Sequence, residues 1–104
     1  MGAFMANWKG QKAAKLQSKG QIEDARKMYA AAVAEGMTDP RLLLAYSVLL
    51  IRAEAYQEAK DLLVKTQKAP ALNAEQKQQL FMNYAVCCFK LGDIARGIDL
   101  LEKQ

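Results

Sequence analysis

The stretch IEDARKMY, Ile22–Tyr29, returns twice in altered form, as YQEAKDLL at Tyr56–Leu63 and as IARGIDLL at Ile94–Leu101. Aligning Ala25, Ala59 and Gly97 spaces the three copies by 34 and then 38 residues. A recurring period in this range marks a repeat protein, in which each unit is one supersecondary element that buries its apolar face against its neighbours. The four extra residues of the second interval fit the connection that contains Pro70.

Around these copies the chain is rich in Ala, Leu, Lys, Gln and Glu, all strong helix formers. It lacks the two-residue alternation of strands. Breaks fall at Gly20, at Gly36–Pro40, more weakly at Ala53–Ala55, at Ala69–Asn73 and at Gly92–Asp93. Asp39 suits an N-cap with Pro40 in the first turn. Asn73 with Gln76 fits a capping box, and Asp93 is a further N-cap candidate. The pattern predicts six helices, over 6–19, 21–35, 40–53, 55–68, 74–91 and 93–104. The fold class is all-α, one domain of three helix–turn–helix units over 6–39, 40–73 and 74–104. About three such units are needed for a stable stack.

Two antiparallel helices need small side chains where their axes approach most closely. Ala13, Ser47 and Ala85 recur on the first helix of each unit. Ala25, Ala59 and Gly97, then Ala32, Thr66 and Gln104, recur on the second. Large residues recur in phase. Leu43 and Phe81 come early on the first helix, followed by Tyr46 and Tyr84, then Leu16, Leu50 and Cys88. Tyr29, Leu63 and Leu101 stand on the second helix. In this set of positions the chain resembles the tetratricopeptide repeat family from about Ala6 to Gln104. It departs at Lys9 and Lys12, which occupy apolar places of the first unit, and at Trp8, one residue from the usual aromatic place. The proline that usually closes each unit is missing. These departures leave the register of the first helix open. The resemblance implies a right-handed α-solenoid whose first helices line a concave surface. It also implies a third unit truncated before a capping helix, so that the outer side of Ile94, Ile98 and Leu101 lies open on a fragment or packs on another copy.

Helical periodicity then sorts the faces. On LLLAYSVLLI, Leu42–Ile51, the residues Leu43, Tyr46, Ser47 and Leu50 face the partner helix, and Leu42 and Leu49 face the second helix of the preceding unit. Leu44, Val48 and Ile51 remain, at spacings of four and three. In the third unit Met82, Val86 and Phe89 remain at the same spacings. Arg52 and Lys90 flank the two stripes, with Asn83 between them; the matching residues of the first unit, Gly10, Ala14, Gln17 and Ser18, are small or polar. The expected site is a groove with an apolar floor and a basic lip. It would bind an amphipathic helix or apolar peptide of a partner protein. Some family members grip acidic C-terminal peptides through lysine, arginine and asparagine on the concave face. Here Gly10, Ala14 and Ala45 stand at three of those places and only Asn83 matches, which argues against that mode. The alternative is homo-oligomeric assembly through the groove or the open C-terminal end.

Charge and composition bound the remaining classes. The net charge of +4 comes from Lys9, Lys12, Lys15 and Lys19, because the rest of the chain carries 11 basic and 11 acidic groups. Such a stripe attracts phosphates or an anionic membrane. It contains no arginine and one aromatic, Trp8, with no base-reading set, so nucleic-acid binding ranks below protein binding. Helical-repeat RNA binders share a similar period but read bases through a polar groove. A membrane span takes about 20 apolar residues, whereas Leu42–Ile51 has ten, so no membrane insertion is expected. The N-terminus has no signal-peptide core, and Ala6 stands where a myristoylation start wants Ser or Thr. A cytoplasmic location follows as the expectation. With no histidine in the chain and acids placed at helix starts, where they favour the dipole, neither an enzyme nor a cofactor is implied. Cys87 and Cys88 are adjacent and unsuited to a mutual disulfide or to a four-ligand zinc site. They read as two reduced, buried thiols.

Overall fold

A computed structural model describes residues 2–69 and 72–93. They form five helices, α1 (Gly2–Ser18), α2 (Ile22–Ala34), α3 (Pro40–Arg52), α4 (Tyr56–Thr66) and α5 (Ala74–Lys90). No strand occurs among the described residues. The sixth helix expected over 93–104 lies outside them beyond Asp93, and with it Gly97, Leu101, Gln104 and the open end.

The helix boundaries follow local chemistry. Asp39 caps α3, its carboxylate accepting from the Arg41 amide at 3.0 Å, with Pro40 in the first turn. At α5 the capping box is complete. Asn73 Oδ1 accepts from the Gln76 amide at 2.7 Å, and Gln76 Oε1 accepts from the Asn73 amide at 3.0 Å. The expected start of α1 at residue 6 is corrected to Gly2. No break separates Ala3 from Ala6, and Asn7 is used for a tertiary bond inside the helix. Its Oδ1 accepts from the Thr38 and Asp39 amides at 3.0 and 3.2 Å, tying α1 to the connection between α2 and α3.

Packing is sequential. α1 lies against α2, and α3 against α4; α1, α3 and α5 form a row in that order, with α3 in the middle. α1 has no backbone contact with α4 or α5. The small residues Ala13, Ser47, Ala85, Ala25, Ala59, Ala32 and Thr66 are all buried, as close approach of helix axes requires. Gly10 is buried as well, and a Cβ there would come within 2.3 Å of Met37 Sδ and 3.0 Å of Leu42 Cδ1. The position expected to face a groove is therefore filled by side chains crossing from the next segment and from α3. Leu42, expected against the second helix of the preceding unit, is thereby corrected to a contact with the first, α1.

Four of the helices close with the same six-residue hydrogen bond. The amides of Gln21, Met37, Ala55 and Asp93 donate to the carbonyls of Leu16, Ala32, Leu50 and Cys88 at 2.7–2.9 Å. This closure needs one residue in the left-handed region, which glycine enters without steric cost. Gly20, Gly36 and Gly92 serve at φ of 80°, 99° and 87°, but α3 uses Glu54 at φ 62°. A side chain there costs about 1–2 kcal/mol, partly offset by the greater unfolded-state freedom of glycine. Glu54→Gly should therefore raise stability by about 0.5–1 kcal/mol, read as a higher urea midpoint with an unchanged slope.

Candidate functional site

α3 is where the apolar excess of the sequence is spent. Leu42, Leu43, Tyr46, Ser47, Leu49 and Leu50 are buried between its neighbours. Tyr46 stacks on Tyr29 of α2 with ring centroids 4.9 Å apart and planes 16° from parallel. Its hydroxyl donates to Glu58 Oε2 on α4 at 3.2 Å. The other Glu58 oxygen accepts from Arg26 of α2 at 3.3 Å. The Tyr29 hydroxyl donates to Gln17 Oε1 of α1 at 2.8 Å, and Gln17 Nε2 donates to the Ala45 carbonyl at 3.5 Å. Gln17, expected on the groove face, thus belongs to a network joining four helices. Its spacing in the sequence gave no sign of that role.

The residues expected to line the site divide into three groups. Leu44 is corrected from groove to core, being only 2% exposed. It borders a cleft with Asn73, Glu75, Gln76 and Gln79, so the first turns of α5 close over it. Val48 and Ile51 are half-buried, and Ile51 packs on the core. Met82, Val86 and Phe89 are open, at 51%, 39% and 38% exposure. Asn83 is half-buried between the two helices, where its Nδ2 donates to Ser47 Oγ at 3.5 Å. Arg52 and Lys90 are exposed at the C-terminal ends of α3 and α5. Within the expected groove, the open apolar part therefore lies mainly on α5, with Val48 and Ile51 at its side on α3.

Cys87 and Cys88 are free and buried. Burial, with the neighbouring Cys88 adding to it, pushes the Cys87 thiol up to about 11, away from the reactive thiolate. Among the described residues no group of three or more Cys, Asp or Glu side chains is placed to hold a metal ion. No described helix is long and apolar enough to cross a membrane.

Compared with known proteins, the chain matches no family model, no curated protein and no solved structure.

The tyrosine pair carries a pH signature. Burial raises the Tyr29 hydroxyl to about 12; burial, then the charge and hydrogen bond of Glu58, raises Tyr46 to about 12. A folded-state value above the ordinary 10.0 makes this contribution to stability complete below pH 10 and lost as pH climbs through 12. Ultraviolet difference titration should show both groups ionising late, with alkaline unfolding alongside. Tyr46→Phe should remove one late group and cost about 1 kcal/mol through the bond to Glu58.

Proposed function

We propose that the chain is a protein-interaction module of tetratricopeptide-repeat type, a three-unit right-handed solenoid that takes an amphipathic helix or apolar peptide of a partner. The observation that carries this reading is the open stripe Met82, Val86 and Phe89 on α5 beside half-buried Val48 and Ile51 on α3. The sequential packing of α1 on α2 and α3 on α4, with α1, α3 and α5 in a row, supports the repeat assignment. So does the burial of every described small position.

An apolar stripe of two helical turns is matched by a partner with residues at i, i+3 or i+4, and i+7. Met82 lets the surface adapt to different partner shapes. Arg52 and Lys90 at the rim favour a partner with a carboxylate beyond its apolar stripe, and such rim charges chiefly speed and orient encounter. Asn83, held by Ser47, supplies a polar point between the helices. No catalytic role is assigned to the chain.

Helix-forming peptides selected from a display library against the whole chain provide the probe. Their affinity should fall on the order of 100-fold on Val48→Lys/Val86→Glu, the loss of a hot-spot pair, while circular dichroism stays helical. Unchanged affinity for the double variant would remove the groove from consideration. Light scattering of the free chain decides the rival use of the same surface: concentration-dependent dimers that the double variant abolishes would make a second copy the occupant.

A further inference from the structure

The outer side of α1 plays no part in the proposed groove, and its composition is unusual. Phe4, Trp8, Lys12, Lys15 and Lys19 follow one another at spacings of four, four, three and four, a single stripe on a helix. The opposite side, with Ala6, Gly10 and Ala13, is buried against the rest of the fold. Phe4, the adjacent Met5 and Trp8 are 76%, 50% and 47% exposed, and Lys12, Lys15 and Lys19 are all exposed. Lys12 Nζ sits 4.0 Å from the centroid of the Trp8 ring. This joins an apolar aromatic tip to a run of three cations, two on α1 and Lys19 in the turn just past its end.

No acid balances that stripe. The first carboxylate of the chain is Glu23. Lys9, which lies off the stripe, is the α1 lysine that forms an ion pair, with Glu35. Asp24 at the start of α2 lines a cleft beside Leu16, together with Lys27. On the other flank Arg41, paired with Asp39 at 3.7 Å, shares a cleft with Lys15. Among the described helices the face also lies at one end of the row, since α1 packs on α2 and α3 alone of these.

We infer that this face of α1 seats the protein on an anionic lipid surface, with Phe4, Met5 and Trp8 at headgroup depth and Lys12, Lys15 and Lys19 on the phosphates. Aromatic side chains favour the membrane interface. An amphipathic helix lies there when apolar contact and attraction to anionic lipid act together. Each lysine near such a surface is worth about fivefold in partitioning. A nucleic acid would use the cations but leave Phe4 and Met5 without a purpose, and the stripe has no arginine for base or bidentate phosphate contacts. A surface helix at the end of a row suits a flat partner better than an extended peptide. The apolar tip and cationic stem are segregated along the axis, so α1 meets the surface obliquely, N-terminal end first.

Trp8 is the sole tryptophan and reports directly on this contact. The whole chain is mixed with phosphatidylserine–phosphatidylcholine vesicles and, separately, with pure phosphatidylcholine vesicles. The anionic vesicles should shift Trp8 emission to the blue and shield it from acrylamide, the neutral ones should not, and added salt should reverse the effect. Lys12→Gln/Lys15→Gln/Lys19→Gln should weaken binding on the order of 100-fold. Phe4→Ser/Met5→Ser should weaken it by about tenfold or more at unchanged charge. Val86→Glu should bind vesicles as the parent does, which separates this surface from the groove. An emission spectrum unmoved by anionic vesicles overturns the inference. So does an equal response to neutral vesicles, shielding of Trp8 by poly(U) RNA alone, or shielding by self-association without lipid.

Discussion

Two tyrosine rings fix how the first helical pair sits on the second. Tyr29 of α2 and Tyr46 of α3 stack 4.9 Å apart, a contact worth about 0.5–1.5 kcal/mol beyond the area it buries. The larger consequence is directional. Each ring must deliver its hydroxyl to a partner, because a buried unsatisfied hydroxyl costs about as much as the hydrogen bond contributes, or more. Tyr29 reaches back to Gln17 on α1 and Tyr46 forward to Glu58 on α4. Arg26 completes the circuit from α2 to Glu58. A slip of any of the four helices would strand one of these groups, so the network sets register as well as strength. Among the described residues no buried side-chain nitrogen or oxygen lacks a partner.

The stack is possible only because its surroundings are small. Ala25 and Ala32 flank Tyr29 at one helical turn on either side, and all three are fully buried. Ser47 beside Tyr46 turns its own hydroxyl to the Leu44 carbonyl at 2.6 Å and also accepts from Asn83, which carries the polar thread on to α5. Thr66 likewise donates to Leu62 at 2.8 Å. These hydroxyls fit into close helix contacts because each finds its acceptor on its own helix.

The same residues explain what could be read in advance. Five of the six expected helices, the caps at Asp39 and Asn73 and the buried small positions up to Ala85 follow from spacing and local chemistry and are present among the described residues. Leu44 and Gly10 did not follow, for a common reason. Periodicity gives the direction of a side chain around its own helix but not the angle at which the next element crosses it. The first turns of α5 lean over Leu44, and Met37 and Leu42 lean over Gly10. α1 begins at Gly2 instead of residue 6 because Ala3–Ala6 contain no helix breaker, and the bond from the Thr38 amide to Asn7 across 31 residues is invisible to any local pattern. Glu54 was missed as a left-handed closure because the residue type argues against it. Only the bond from the Ala55 amide to the Leu50 carbonyl shows that α3 ends as its glycine-closed counterparts do. Of the candidate groove, the exposure of Met82, Val86 and Phe89 on α5 agrees with their spacing. Its α3 side was legible in part, since Val48 and Ile51 share their helix with a core that needed Leu44.

The distribution of exposed apolar surface follows from the row of α1, α3 and α5. The middle helix packs on α1, α2, α4 and α5 and buries most of the apolar residues of Leu42–Ile51. Among the described helices, one at either side of the row has fewer neighbours, and a repeat protein ordinarily covers its ends with polar faces. α1 and α5 do not. Phe4, Met5 and Trp8 stand open on one, and Met82, Val86 and Phe89 on the other. Keeping six large apolar side chains in water forgoes burial worth roughly 1.5–3 kcal/mol each. The two sets also differ in setting. The α1 set adjoins three lysines that form no ion pair among the described residues; the α5 set lies beside an apolar flank of α3 and a polar asparagine. One surface is therefore electrostatic with an apolar tip, and the other apolar with a charged rim. Such a pair of surfaces can be occupied together, because the row places α3 between them.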